Sequence, residues 1–383
     1  MVLDDIVSFL NYTTSPIAVR SSSVLEDSHY QPFAGVFATY MIPDTEKEKM
    51  LIMTSNAIKS VMASAFFQDS KAYLKATSHT IEEDKMAVIL QEVIGKQYDD
   101  VYYPNISGVA RSINFYHIGN ELPSEGLANI ALGLGEIIVG GGRTLRFSPF
   151  HPKKVLQLSS PDSTKRETQK HLYGLDMNPN SYEASTNESI NKKKITIRRA
   201  EKHGSLKYVA STYDLQNNII KPGVLHDGIR LITFDNVLKY NTFPLPEILQ
   251  NLLIIGQREM RNPIEIEFAV KLDVPAGQPK EFSFLQIRPI VESFEATTEL
   301  PENIDTKDTI IYSESALGNG KYEDIYDFVY VKPETFNSAN TSEIAASVEE
   351  MNKKFIESDK QYVLVGPGRW GSSDPWLGLP VIW

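Results

Sequence analysis

The chain has 383 residues, enough for about two or three domains. Its 49 acidic and 38 basic residues give a formal net charge of −11, which argues against nucleic acid or an anionic membrane as the main partner. It has no cysteine, which excludes disulfides, thiolate catalysis and zinc–thiolate sites and fits a reducing compartment. We expect a cytoplasmic protein, because the first residues lack a basic segment and no apolar run of about 18 residues occurs.

The first polar cluster lies near the start of the chain. It contains Arg20 and Ser21-Ser22-Ser23, and continues through Glu26-Asp27 to Phe33-Ala34-Gly35. The arginine fork is permanently charged and suits phosphate oxygens, and serines offer hydroxyl and backbone N–H donors. An interdomain salt bridge is the alternative for Arg20, and the cap of a following helix is the alternative for the serines.

An amphipathic helix is predicted next, from about Thr45 to Lys75. Ala57, Val61, Ala65 and Tyr73 recur at roughly helical spacing, so we expect them to face a core. The pattern then becomes strand-like from about residue 86 to residue 115.

Two stretches in the middle of the chain carry glycine or basic residues. Gly133 and Gly135 would permit a close backbone approach just before Glu136, although glycine-rich turns are common. Glu136 itself is as well suited to cap a helix as to contact a ribose. The basic run Lys192-Lys193-Lys194, with Arg198-Arg199, is expected to form a solvated strand or loop face.

The second polar cluster has the spacing of a strand pair. Glu265 and Glu267 alternate with apolar residues, as do Gln286 and Arg288, and the turn-forming segment 275–279 lies between. Side chains alternate along a strand, so a hairpin would place two carboxylates, an amide and a guanidinium on one face. Paired carboxylates suit a magnesium ion that also holds phosphates. Two ordinary half-buried strands are the alternative.

Five motifs, in this order, resemble the nucleotide-binding domain of phosphoenolpyruvate synthase and pyruvate phosphate dikinase. They are Val19-Arg20-Ser21-Ser22 with its continuation, Ala87-Val88-Ile89-Leu90-Gln91-Glu92-Val93, Ser107-Gly108-Val109-Ala110-Arg111, Gly133-Leu134-Gly135-Glu136, and Glu265-Ile266-Glu267 with Leu285-Gln286-Ile287-Arg288-Pro289. The resemblance runs from about Ile17 to Pro289 and is weakest between Val155 and Leu249. Arg111 departs from the family, which has an aromatic residue there.

The resemblance implies an α+β, ATP-grasp-like fold, with two lobes of mainly antiparallel sheets and flanking helices. It implies ATP and Mg²⁺ as ligands. The residues implied for catalysis are Arg20 and Arg288, and those implied for magnesium are Glu265 and Glu267. The residues implied for nucleotide binding are Ser21, Ser22, Gln91, Val93, Gly133, Gly135, Glu136 and Gln286, with Gln91 and Val93 at the adenine edge.

Three domains are predicted. Residues 1–80 would form the N-terminal lobe, 81–291 the lobe with the metal-side hairpin, and 292–383 a linker and a partial C-terminal α/β domain. In the last part, Glu343–Glu357 is predicted as a helix and Tyr362–Val365 as a strand. The Gly-, Arg- and Trp-rich segment Gly366–Trp376 suits an anion or interdomain contact, or a turn-rich connector.

Two departures from the family limit what the chain would do alone. The family has a Gly-Gly-Lys segment upstream of its arginine, whereas no lysine precedes Arg20 here. His79 follows Thr77-Ser78 as in the family's phosphohistidine motif, but Lys75-Ala76 stand where that motif has two glycines. We therefore do not expect His79 to carry a phosphoryl group. The phosphohistidine domain and pyruvate barrel are absent and the chain ends at an apolar Val381-Ile382-Trp383, so we expect a fragment of a longer protein.

Three functional hypotheses follow from these patterns. The first is the ATP-binding part of a phosphoenolpyruvate synthase- or dikinase-like phosphotransferase, passing phosphate to a histidine and then to pyruvate. The second is an ATP-grasp dikinase with another acceptor, such as a glucan or an antibiotic hydroxyl. The third is a non-catalytic nucleotide-binding module.

Overall fold

The computed structural model describes residues 2–23, 37–68, 70–71, 86–114, 121–290, 309–311, 325–337, 340–358, 360–372 and 378–381. The chain forms two compact units, one of residues 1–114 and 124–291 and the other of residues 115–123 and 292–383. The predicted boundary at residue 80 lies outside the described residues, as do Glu26-Asp27, Phe33-Ala34-Gly35 and His79.

The described residues form eight α-helices. They are α1 Val2–Tyr12, α2 Lys47–Ser64, α3 Glu136–Val139, α4 Pro161–Glu167, α5 Ile197–Lys202, α6 Asp235–Leu238, α7 Leu245–Met260 and α8 Thr341–Glu357. The core face predicted for the long N-terminal helix is confirmed at Ala57, Val61 and Ala65, which are buried. α2 ends earlier than predicted, and Tyr73 lies outside the described residues. None of the helices in the described ranges is both long and apolar enough to cross a membrane.

The described part of the first unit contains four antiparallel sheets, so the predicted α+β class with mainly antiparallel sheets is confirmed. One has the order β2-β1-β3, with β1 Ile17–Ser23, β2 Tyr40–Ile42 and β3 Met86–Glu92. A second has the order β10-β9-β5-β4, with β4 Lys96–Tyr98, β5 Val101–Tyr103, β9 His171–Asp176 and β10 Lys192–Thr196. A third has the order β12-β11-β13, with β11 Ala210–Asp214, β12 Ile219–Pro222 and β13 Ile229–Ile232.

The fourth sheet has five strands and contains the predicted hairpin. Its order is β15-β14-β6-β7-β8, with β6 Ile106–Arg111, β7 Leu127–Ala131, β8 Leu145–Phe147, β14 Ile264–Lys271 and β15 Glu281–Pro289. Ile264, Ile266 and Phe268 alternate along β14 and are fully buried in the main core of the unit, to which Leu249 and Leu253 of α7 also belong. Each such side chain contributes about 1.5–3 kcal/mol on burial. This packing fixes which face of β14 is left for the glutamates.

The three-stranded sheet of β1, β2 and β3 has a second core on one face. Ile17 and Val19 pack with the buried side of α2. Because side chains alternate, Ala18, Arg20 and Ser22 lie on the opposite face of β1. The apolar residues around Arg20 therefore set the direction of its side chain.

The second unit is small and has its own core, formed around Ala345, Val348, Leu379 and Val381. It contains two parallel strand pairs, β16 Asp327–Tyr330 with β17 Tyr362–Val365, and β18 Arg369–Trp370 with β19 Gly378–Leu379. The predicted strand over residues 362–365 is confirmed, and the predicted helix is confirmed as α8. Trp370 packs against the core, so the described part of the Gly-, Arg- and Trp-rich segment contributes to packing.

Candidate functional site

Three charged residues form a row across the five-stranded sheet. Glu265 on β14 is directly opposite Arg111 on β6 and directly opposite Arg288 on β15. Side chains at directly opposite positions of antiparallel strands lie on the same face and interact. Two strand pairings thus place one carboxylate between two guanidinium groups.

Both carboxylate oxygens of Glu265 are occupied. Arg111 Nε donates to Oε2 at 2.5 Å, and Arg288 Nε donates to Oε1 at 2.8 Å while its Nη2 donates to the same oxygen. The glutamate side chain is only 5 % exposed, whereas that of Arg111 is 48 % exposed. Burial acts to raise the pKa of Glu265, but the two arginines outweigh it and hold this pKa below its usual value. The carboxyl group is therefore ionised at neutral pH.

A second row lies two residues further along the same strands. Glu267 is opposite Gln286 on β15, and a β-bulge follows between Glu267 and Phe268. Arg20 Nη2, from the other sheet, donates to Glu267 Oε2 at 3.0 Å and to Gln286 Oε1 at 2.7 Å. The side chains of Arg20 and Glu267 are 22 % and 26 % exposed. The two polar clusters identified in the sequence are therefore in contact, although Arg20 and Glu267 are 247 residues apart.

Gln91 joins the same group from β3. Arg20 Nη1 donates to its Oε1 at 3.4 Å, and its Nε2 donates to the backbone oxygen of Leu285 at 3.4 Å. Arg20 is opposite Ile89 in the β1–β3 pairing, so Gln91 is its diagonal neighbour on the same face. One arginine thus links β1, β3, β14 and β15.

Comparison with known proteins assigns this arrangement to a family. The family model for the AMP/ATP-binding domain of pyruvate phosphate dikinase matches residues 2–308, which include every residue of both rows. The chain belongs to this family. A stretch of 129 residues is also 33 % identical to the uncharacterized phosphotransferase YvkC of Bacillus subtilis (strain 168), covering 33 % of this chain and 14 % of that protein. The chain thus spans only a small part of the length of that relative.

The serines of this dikinase-family domain are the last three residues of strand β1. Ser22 follows Arg20 by two residues and so lies on the same face, while Ser21 lies on the face that packs with α2. Ser22 is therefore better placed than Ser21 to share a ligand with Arg20.

The backbone of Val93 is already hydrogen-bonded within the domain. Its N–H donates to the oxygen of Pro16 at 2.7 Å, and its carbonyl oxygen accepts from the hydroxyl of Tyr102 at 3.1 Å. These bonds anchor the chain as it leaves β3. The contact of Val93 with adenine stays a prediction.

The two glycines before Glu136 differ in the space that surrounds them. Gly133 has φ +92°, and a Cβ there would lie 2.6 Å from the backbone oxygen of Tyr173 and 2.9 Å from Leu172 Cβ. A Cβ at Gly135 would have no atom within 4 Å. Gly133 is thus required by close packing against β9, whereas Gly135 leaves open space on its Cβ side.

Glu136 forms an ion pair that the sequence did not predict. Lys192 Nζ donates to its Oε2 at 2.6 Å, and Ser189 Oγ donates to its Oε1 at 3.1 Å. The prediction of a solvated basic face is wrong for Lys192, whose side chain is only 6 % exposed. Glu136 is the first residue of α3, and Gly135 occupies the N-cap position. The buried ammonium group of Lys192 therefore holds the side chain of Glu136 in place next to the glycine-rich segment.

The family implies a magnesium ion, and the two glutamates of β14 differ in whether they fit as its ligands. Among the described residues, no group of three or more His, Asp or Glu side chains is arranged to hold a metal ion. Glu267 fits as a ligand, because Arg20 engages Oε2 while Oε1 has no hydrogen-bond partner in the described part of the chain. Mg²⁺ is typically held by one or two carboxylates together with phosphate oxygens. Glu265 does not fit while Arg111 and Arg288 occupy its oxygens.

Proposed function

We propose that this chain is the ATP-binding part of a phosphoenolpyruvate synthase- or pyruvate phosphate dikinase-like phosphotransferase. The full protein would pass a phosphoryl group from ATP to a histidine outside this chain and then to pyruvate, leaving AMP. An ATP-grasp dikinase with a glucan or an antibiotic as acceptor would use the same nucleotide domain.

The contact of Arg20 with Glu267 and Gln286 carries this proposal. A guanidinium that bridges two sheets lies where a triphosphate between them would need positive charge. Its bonds are to a partly exposed carboxylate and an amide, so they can be exchanged for bonds to a ligand with little loss of burial.

The chain's own residues would act by position and charge. Arg20 and Arg288 would hold the phosphate oxygens, and Ser22 would add a hydroxyl on the face of Arg20. Phosphoryl transfer requires alignment and charge neutralisation more than covalent help from the protein. A magnesium ion held by Glu267 would supply further neutralisation of the phosphates.

Calorimetric titration of Mg·ATP tests this proposal. We expect Arg20→Ala and Glu267→Gln each to weaken binding at least about tenfold, since each removes a charge-assisted contact. Arg258→Met is the matched control, because Arg258 is exposed on α7 and, within the described ranges, its ion pair is with its neighbour Glu259. Wild-type affinity in both site variants, with folding verified by circular dichroism, would refute the assigned site.

A non-catalytic nucleotide sensor is the second candidate. It is favoured by one observation: the guanidinium groups of Arg20, Arg111 and Arg288 are all paired with carboxylates. Formation of AMP from ATP by the full-length protein would exclude the sensor, whereas Mg·ATP binding without any turnover would exclude the transferase.

A further inference from the structure

Arg111 makes a bond that Glu265 does not need for charge balance. Arg288 already places two N–H donors on Oε1 of the carboxylate. Arg111 takes the other oxygen, Oε2, from a side chain that is itself about half exposed. The main consequence of this second bond is that no carboxylate oxygen of Glu265 is left to bind another cation.

The balance of charges on this face also disfavours a metal ion at Glu265. Among the described residues, Arg20, Arg111 and Arg288 form ion pairs with two carboxylates, those of Glu265 and Glu267, so these pairs together carry one positive charge in excess. A divalent cation approaching Glu265 would have to displace a guanidinium and enter a region that is already positive. At Glu267 it would find one oxygen that the described residues leave unbonded.

We propose that Arg111 is a built-in counter-cation that keeps divalent metal ions off Glu265, so that Glu267 is the metal ligand of β14. The inference rests on the proposed nucleotide site and adds the division of labour between its two glutamates. Phosphate oxygens and Glu267 would hold the metal, while the guanidinium of Arg111 supplies at Glu265 the positive charge that a second metal ion would otherwise supply.

Removal of the guanidinium should therefore create a metal site. Arg111→Met keeps an unbranched apolar stem but releases Oε2 of Glu265. Glu265 and Glu267 are two residues apart on one strand face, about 7 Å along the chain. The released oxygen would thus lie close enough to Glu267 for both carboxylates to act on bound cations.

The test is a titration with Mn²⁺ alone, in which electron paramagnetic resonance measures the free ion. Without nucleotide, we expect Arg111→Met to bind Mn²⁺ at least about tenfold more tightly than wild type, because a like charge next to the ligand is gone. Arg111→Lys keeps the charge and should behave as wild type, and Arg258→Met is the control for loss of an unrelated arginine. Arg111→Gln is the second neutral variant, in case Arg111→Met does not fold.

Repeating the titration with saturating non-hydrolysable ATP analogue counts the metal ions per complex. We expect one additional Mn²⁺ in the neutral variants compared with wild type. Equal Mn²⁺ binding by wild type and a folded neutral variant overturns the proposal, and so does tight binding by Arg111→Lys. The nucleotide-free titration does not depend on ATP, so failure of the wild type to bind the analogue refutes the proposed function separately.

Discussion

The two glutamates of β14 both alternate with buried core residues and lie on the same face of the strand, but their surroundings differ. Glu265 is buried and both its oxygens are held by arginines, whereas Glu267 is partly exposed and is held on one oxygen by Arg20. The first is a fixed ion pair within one sheet, and the second links two sheets through a single guanidinium.

The difference shows how one strand face can combine a glutamate that is fixed by two arginines with one that is held on a single oxygen. Glu265 lies between two strands that supply arginines directly opposite it. Glu267 lies opposite Val109 and Gln286, neither of which is charged, and among the described residues its charge is paired by Arg20. The residues on the flanking strands therefore decide which glutamate is available.

Replacing each glutamate by glutamine gives the largest contrast. Glu265→Gln leaves two arginines without their buried carboxylate, and we expect a loss of about 3 kcal/mol in the free energy of unfolding. Glu267→Gln should cost less than about 1 kcal/mol, because its ion pair is partly exposed. Urea denaturation of both variants measures the difference, and equal losses would remove the distinction drawn between the two positions.

The strand patterns could be predicted because they depend on local spacing. Alternation over residues 264–268 and 285–288 gave the hairpin and the shared face of both glutamates, and the structure places these residues as expected. The contact between Arg20 and Glu267 could not be predicted in this way, since no local pattern relates two segments that are 247 residues apart.

The partners of the charged residues could not be predicted in the same way. Arg111 was noted only as a departure from the family, because the pairing of β6 with β14 depends on long-range register. Lys192 looked like part of a solvated run, and nothing in its neighbours indicates Glu136, 56 residues earlier. Gly133 was assigned to nucleotide approach, whereas the space its Cβ would need is taken by β9.

The Lys192–Glu136 pair extends the contrast to a second sheet and should have an intermediate effect. Lys192→Met removes the buried cation that pairs with Glu136. We expect the free energy of unfolding to fall by about 1–2 kcal/mol. Lys194→Met, on the same strand but exposed, should leave stability within about 0.5 kcal/mol of wild type. Thermal unfolding of both variants tests this; a Lys194 variant as destabilised as the Lys192 variant would show that lysine burial is not the cause.

The smallest effect is expected for Arg111→Met, although Arg111 contacts the same carboxylate whose removal is most costly. Loss of Glu265 leaves two guanidinium groups unpaired, but loss of Arg111 leaves the carboxylate with both donors of Arg288. Arg111 is also about half exposed, so water can replace part of its interaction with Glu265 when the guanidinium is removed. We therefore expect Arg111→Met to lower the free energy of unfolding by less than about 1 kcal/mol. Urea denaturation beside Glu265→Gln is the measurement. If Arg111→Met is as unstable as Glu265→Gln, Arg111 is needed to keep the carboxylate of Glu265 buried. The main role of Arg111 would then be to stabilise the fold and not to exclude a metal ion.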